Sequence, residues 1–160
     1  NYMGFGSGIV VDGVSLQNRG YDFSLDPNHV NYLMPHKKTY HTIIPGFLTQ
    51  NGKPVGPFGV MGGYMQPQGH MQVVTNMIDF HLNPQMSLDA KRFQWMKDMK
   101  FIVEPGFDAD IIENLKKRGH EIEVEEELAE FGRGQIIVRL DNGVYVAGCE
   151  SRTDSNIACY

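Results

Sequence analysis

Short apolar runs alternate with polar breaks marked by glycine or proline, and the period of each run predicts its element. Ile9-Val10-Val11 follows Gly4-Phe5-Gly6-Ser7-Gly8 and ends at Asp12-Gly13, so it reads as a strand fed by a glycine bend. Val14 to Leu16 continues extended. Residues 17–35 then turn polar and irregular, with Asp26-Pro27-Asn28 marking a loop. From His41 the texture changes. Thr42-Ile43-Ile44 and Phe47-Leu48-Thr49 are β-branched and aromatic, Asn51-Gly52 is a two-residue hairpin signal, and Val55 to Met61 returns. Met71, Val74, Ile78 and Leu82 recur at helical spacing, which predicts a helix over 71–82 stopped by Asn83-Pro84. Ser87 can cap a second helix through about Phe93. Phe101-Ile102-Val103 predicts a strand closed by Pro105-Gly106. Asp108 can cap a third helix, with Ile111, Ile112 and Leu115 inward and Gly119 just past its end. Strands return over 121–124, 135–140 and 144–147, the last two joined by Asp141-Asn142-Gly143. Strands and helices in mixed order, with hairpins, give an α+β class in one domain.

The pattern converges on Met61-Gly62-Gly63-Tyr64, where an apolar strand hands over to the amphipathic helix. Two adjacent glycines allow positive φ and let a ligand approach bare backbone. Their N–H groups can point the same way, toward an anion or a developing oxyanion. The plain alternative is a tight strand-to-helix turn that binds nothing.

Length and charge narrow the function classes. At 160 residues and 41% hydrophobic content the chain can bury a core. A net charge of −5 without a basic run argues against a nucleic-acid partner. No apolar stretch approaches the ~20 residues of a membrane span. The opening Asn1-Tyr2-Met3-Gly4-Phe5 has no charged n-region and reads as the middle of something longer rather than as a signal peptide. Cys149 and Cys159 have no metal spacing, and a bridge between them is allowed but unforced. Six glutamates between positions 121 and 130 read as a solvated face. The compartment stays open, a bacterial cytoplasm being favoured.

Candidate chemistry is sparse. Histidines 29, 36, 41, 70, 81 and 120 form no i,i+4 pair and no HExxH pattern, so no metal site is expected. His70 opens the predicted helix, where the dipole disfavours a cation and keeps it neutral. His41 lies at a strand entry beside Thr42. Arg19 and Asp22 form an i,i+3 pair in a polar loop, which without a ligand is a surface ion pair.

Seven segments in collinear order carry a resemblance: Phe-Gly-Ser-Gly-Ile (5–9), Gln-Asn-Arg-Gly-Tyr-Asp-Phe-Ser (17–24), Pro-x-Lys-Lys-x-x-His-Thr-Ile-x-Pro (35–45), Gly-Gly-x-x-Gln-Pro-Gln-Gly-His-x-Gln (62–72), Asn-x-Ile-Asp-Phe (76–80), Ala-x-Arg-Phe (90–93) and Ser-Arg-Thr-Asp (151–154). Together they resemble the small subunit of γ-glutamyltransferases, and more closely the bacterial branch that is γ-glutamyltransferase-like and cephalosporin-acylase-like. The resemblance implies an N-terminal-nucleophile hydrolase with an αββα sandwich. It implies a precursor that cuts itself, and a freed N-terminal threonine that attacks a γ-glutamyl or glutaryl-type amide without a cofactor. The implied partner is the large subunit of the same precursor.

Carried over by position, the resemblance assigns Gly62 and Gly63 to the backbone oxyanion hole and Asp22 to the carboxylate that holds a donor's α-ammonium. Asn1 matches the asparagine near the nucleophile, and Thr42 matches the second of two residues that hold the donor's α-carboxylate. His41 stands where the family has a serine, and Arg19 where it has a glutamine that contacts substrate. Both departures are typical of the acylase-like branch. The catalytic threonine is expected one hairpin upstream of Asn1, which leaves these residues inactive alone. Two further readings stay open: a non-catalytic fragment that keeps the fold, and a small-anion-binding α+β domain.

Overall fold

The computed structural model describes residues 6–160, and contacts divide the chain into two compact units, residues 1–43 and 44–160. In the first, β1 (Val10–Val11) pairs antiparallel with β2 (Val14–Ser15), Val10 opposite Ser15. Val14 to Leu16 therefore folds back instead of continuing. Asp12 and Gly13 cause this by adopting consecutive positive φ, 50° and 79°, as a tight hairpin requires. One 3₁₀ turn, Arg19–Asp22, follows. Asn31 staples the loop beyond it, donating from Nδ2 to the Asp22 carbonyl at 2.7 Å and accepting at Oδ1 from the Tyr40 amide at 3.2 Å.

The second unit contains two sheets. The larger runs β3-β4-β8-β9, all antiparallel, where β3 is Gly46–Gln50, β4 Lys53–Met61, β8 Arg133–Arg139 and β9 Tyr145–Cys149. Asn51 and Gly52 turn the β3–β4 hairpin with φ of 51° and 75°. The strand begins only at Gly46, not at Thr42, because Pro45 has no N–H to give a ladder. On one face Val60 of β4 and Ile136 of β8 pack with Val73 and Leu88 from the helices described below, with Phe58, Met77 and Val138 around them. Each of these fully buried aliphatic side chains contributes about 1.5–3 kcal/mol by leaving water. The opposite face exposes Phe47, Met61, Ile137 and Tyr145.

The smaller sheet runs β5-β6-β7 (Phe93–Lys97, Lys100–Val103, Glu121–Val124), with β6 and β7 parallel across helix α3, Ala109–Lys117. Asp108 caps α3, its Oδ1 accepting from the amides of Asp110 and Ile111 at 2.9 and 3.1 Å. At the other end Gly119 (φ 94°) and His120 donate back to Lys116 and Leu115, closing a Schellman motif. Ile112 and Leu115 are half-buried, but Ile111 is 49% exposed, so only part of the expected inward face is covered. Glu121, Glu123, Glu126, Glu127 and Glu130 are exposed as expected, while Glu125 is half-buried. One of them finds a cation in space, since Lys100 Nζ lies 2.7 Å from Glu123 across the parallel pair.

Helices α1 and α2 depart most from the sequence pattern. Helix α1 spans Met65–Ile78, beginning six residues before the predicted start. Pro67 sits in the first turn, where its missing N–H costs nothing. Gly69 is buried against β4, and a Cβ there would lie 2.7 Å from Val60 Cγ1. Neither residue is punctuation. Helix α2 is only Pro84–Asp89, capped by Asn83, whose Oδ1 accepts from the Met86 amide at 2.9 Å. Asn83-Pro84 therefore starts a helix instead of stopping one, and Ser87 lies inside it, donating to the Asn83 carbonyl. Of the residues assigned to its tail, Ala90 to Arg92 form a connecting loop and only Phe93 belongs to strand β5.

Candidate active site

The Gly62-Gly63 turn joins β4 to α1 with both glycines at positive φ, 149° and 58°. Its tightness comes from backbone meeting backbone. A Cβ on Gly62 would lie 2.8 Å from Gly132 Cα, and a Cβ on Gly132 (φ 74°) would lie 2.6 Å from the Met61 carbonyl oxygen. The two glycine segments thus interlock, and neither tolerates a side chain. The carbonyls of Gly62 and Gly63 accept from the amides of Met65 and Gln66, at 3.0 and 3.2 Å, and launch the helix. Their own amides donate to no backbone carbonyl among the described residues. Two adjacent N–H groups beside a helix N-terminus are suited to a negative oxygen. Tyr64 beyond them is 93% exposed.

Helix α1 is held from its far side by two glutamines. Gln68 donates to the Trp95 carbonyl (3.1 Å) and accepts from the Trp95 amide (2.7 Å); Gln72 does the same with Phe93, at 2.8 and 3.1 Å. Spaced i,i+4, their amides act as peptide groups and cover the free edge of β5. Gln85 of α2 repeats the device on the Cys149 backbone of edge strand β9, at 2.9 and 3.1 Å. Sequence reasoning missed all three; a glutamine repeating at i,i+4 on a helix was the available signal. His70 stands in the second turn of α1 over the Phe58 ring, 5.2 Å between centroids, and burial lowers its pKa. His81 lies in the loop after α1 with φ 55°, not at a helix end.

In the first unit the structure brings Arg19 and Thr42 together, Arg19 Nη1 donating to Thr42 Oγ1. Arg19 is 9% exposed. Its guanidinium is thus largely removed from water. Asp22 is half-buried at the end of the same 3₁₀ turn. His41 is exposed, its Nδ1 accepting from the Ile43 amide at 3.1 Å, which leaves Nε2 to carry any proton. Asn1 and the start of the glycine bend lie outside the described residues. Cys149 and Cys159 are free thiols. Among the described residues, no cluster of three His, Cys, Asp or Glu gathers, and no helix is long and apolar enough to cross a membrane.

Sequence reasoning also missed a buried ionic network. Arg92, Glu104 and Glu150 are 1–2% exposed, and Arg152 closes the set. Glu150 Oε2 accepts from Arg92 Nη2 at 2.9 Å and from the Gly134 amide at 2.6 Å, while its Oε1 accepts from Arg152 Nη1 at 2.6 Å. Arg152 also meets Glu104 through Nε (2.6 Å) and Nη2 (3.1 Å). Burial pushes the Glu150 carboxyl up, but the Arg92 charge and the hydrogen bonds from Arg152 and Gly134 outweigh it and hold it below its ordinary range. Arg92 shifts down because burial and the Arg152 charge outweigh Glu150.

The γ-glutamyltranspeptidase family model matches residues 1–160. A glutathione hydrolase-like proenzyme of Bacillus subtilis is 39% identical over 130 residues, 77% of this chain and 25% of that protein. An oxamate amidohydrolase proenzyme of Klebsiella pneumoniae is 34% identical over 167 residues, covering 99% and 32%. Cephalosporin acylase from Bacillus halodurans is 60% identical, with a TM-score of 0.79 over 99% of this chain and 30% of that structure. The chain thus spans about a quarter to a third of the curated relatives it matches, and these likenesses place its α+β fold among the N-terminal-nucleophile hydrolases. By sequence and by fold, the chain belongs to the γ-glutamyltranspeptidase family.

Proposed function

We propose that residues 1–160 form most of the small subunit of a γ-glutamyltransferase-like amidase, which cleaves γ-glutamyl or glutaryl-type amides through an acyl-threonine intermediate. The observation that carries this reading is the Gly62-Gly63 turn beside a helix N-terminus, whose two adjacent amides donate to no backbone carbonyl among the described residues. The nucleophile is a threonine outside this chain, whose free α-amine serves as its base. It attacks the amide carbon, and the oxygen that becomes negative is received by the Gly62 and Gly63 N–H groups. Collapse expels the amine, and water or an acceptor amine then releases the acyl group. The exposed apolar face of the larger sheet (Phe47, Met61, Ile137, Tyr145) fits a second sheet packing there, as in an αββα sandwich. That layer would come from the remainder of the precursor, consistent with relatives named as proenzymes.

Asp22 holds the α-ammonium of the donor, and Arg19, fixed by Thr42, holds a carboxylate. His41 adds a titratable group beside them. In the complete enzyme, Asp22→Ala should lower kcat/KM for γ-glutamyl-p-nitroanilide by roughly 10–150-fold, the worth of a ~1.5–3 kcal/mol charge-assisted bond. Glutaryl-p-nitroanilide, which lacks the amine, should change little. Equal losses for both donors would make Asp22 structural and remove the donor assignment.

A further inference from the structure

The ionic network does more than stabilise. We propose that Arg92 is a positioning residue for the Gly62-Gly63 turn, acting through the backbone of residues 131–134; this rests on the reading of that turn as the oxyanion site. Arg92 Nη1 donates to two successive carbonyls, Phe131 and Gly132, each at 3.0 Å. Its Nη2 is anchored by the Leu88 carbonyl at 3.1 Å and by Glu150 Oε2 at 2.9 Å. The same Glu150 oxygen takes the Gly134 amide at 2.6 Å. One ion pair therefore grips the 131–134 segment at three backbone points.

That segment is the surface against which the turn is cast. Gly132 Cα occupies the space a Gly62 side chain would need, Met61 pairs with Arg133 in the ladder, and Gly132 itself has no room for a Cβ. No flexible side chain lies between Gly62 and Gly132 to absorb a shift, so movement of residue 132 passes directly to the Gly62 backbone. The guanidinium is needed for its shape as well as its charge, because only a planar fork reaches Phe131, Gly132, Leu88 and Glu150 together. The group is also costly: it is 1% exposed, and its Nε has no partner among the described residues. Such a buried charge is not the cheapest way to hold a fold, since well-packed apolar residues often do as well.

The test uses the complete, processed enzyme with Arg92→Lys, which keeps the charge and loses the fork. Donor amides displaced by a fraction of an ångström stabilise the oxyanion poorly but touch the ground state little. The expected result is kcat lower by roughly 10–100-fold with KM within about twofold. Hydrogen exchange should quicken in peptides covering 61–66 and stay unchanged in those covering 100–103. If Arg92→Lys does not fold, Glu150→Asp, which keeps every charge and withdraws the carboxylate from Arg92 and Gly134, should show the same split. A folded variant of either kind with wild-type kcat overturns the proposal. Inhibition by a boronic-acid analogue of the donor, whose tetrahedral adduct places a negative oxygen at the oxyanion donors, runs beside them. Tight inhibition of the wild type with an unaffected Arg92→Lys overturns only the positioning role. A wild type that the analogue does not inhibit removes the oxyanion reading, and the proposal with it.

Discussion

Replacing Glu150 by Gln tests the energetics of the buried network. The side chain is fully buried, and its two oxygens accept from Arg92, the Gly134 amide, Arg152 Nη1 and, at 3.3 Å, the Arg152 amide. Glutamine keeps the volume but presents one NH₂ group. In either flip that group faces two donors, so two hydrogen bonds become donor–donor contacts. Arg92 also loses the one carboxylate within ion-pair distance of it among the described residues. Breaking a buried pair from one side costs about 3–5 kcal/mol. At 1.4 kcal/mol per decade, amides of β8 should exchange roughly two to three and a half decades faster at neutral pH, read by mass spectrometry of the 133–139 peptide. The pH dependence has a definite sign. Glu150 titrates below its unfolded value near 4.3, so its contribution is whole above that pH and fades as pH falls through the depressed folded value. The difference between wild type and variant should therefore shrink on acidification. An increase in exchange of less than fivefold at pH 7, or a difference constant down to pH 3, would refute the reasoning.

Two further predictions concern α1. Gly69→Ala should gain about 1 kcal/mol of helix propensity on an open helix, but its Cβ would meet Val60 Cγ1 at 2.7 Å. Overpacking of ~1–3 kcal/mol should win, and a higher melting temperature for the variant would show that β4 yields. His70 is held below 6.5 by burial, so its contribution to stability is present above pH 6.5 and is lost as pH falls through the lowered folded value. His70→Gln should flatten the stability–pH slope between pH 5 and 7, and an unaltered slope would assign it elsewhere.

The residues that made the sequence legible are those whose chemistry acts locally. Asn51-Gly52, Asp108 and Gly119 each force one backbone geometry, and hairpin, cap and Schellman end stand where expected. Misreadings arose where the decisive partner is distant. Gln66-Pro67-Gln68-Gly69 looks like a loop until β4 is seen to need Gly69 and β5 to need Gln68. Strand β5 was hidden because its neighbours are β6 and two glutamine side chains 21 and 27 positions earlier. The site divides the same way. A double glycine between strand and helix marks the turn, but the Gly132 backbone that shapes it and the Arg92–Glu150 pair behind it have no local signature.

The central claim is that this chain supplies the oxyanion donors while a threonine outside residues 1–160 supplies the nucleophile. The direct measurement is to quench the complete enzyme in acid during turnover of γ-glutamyl-p-nitroanilide and map the covalent adduct by peptide mass spectrometry. The account predicts an acyl group on an N-terminal threonine absent from residues 1–160, accumulating during turnover. An acyl group on any side chain within residues 1–160, Thr42 and Ser7 included, would contradict it.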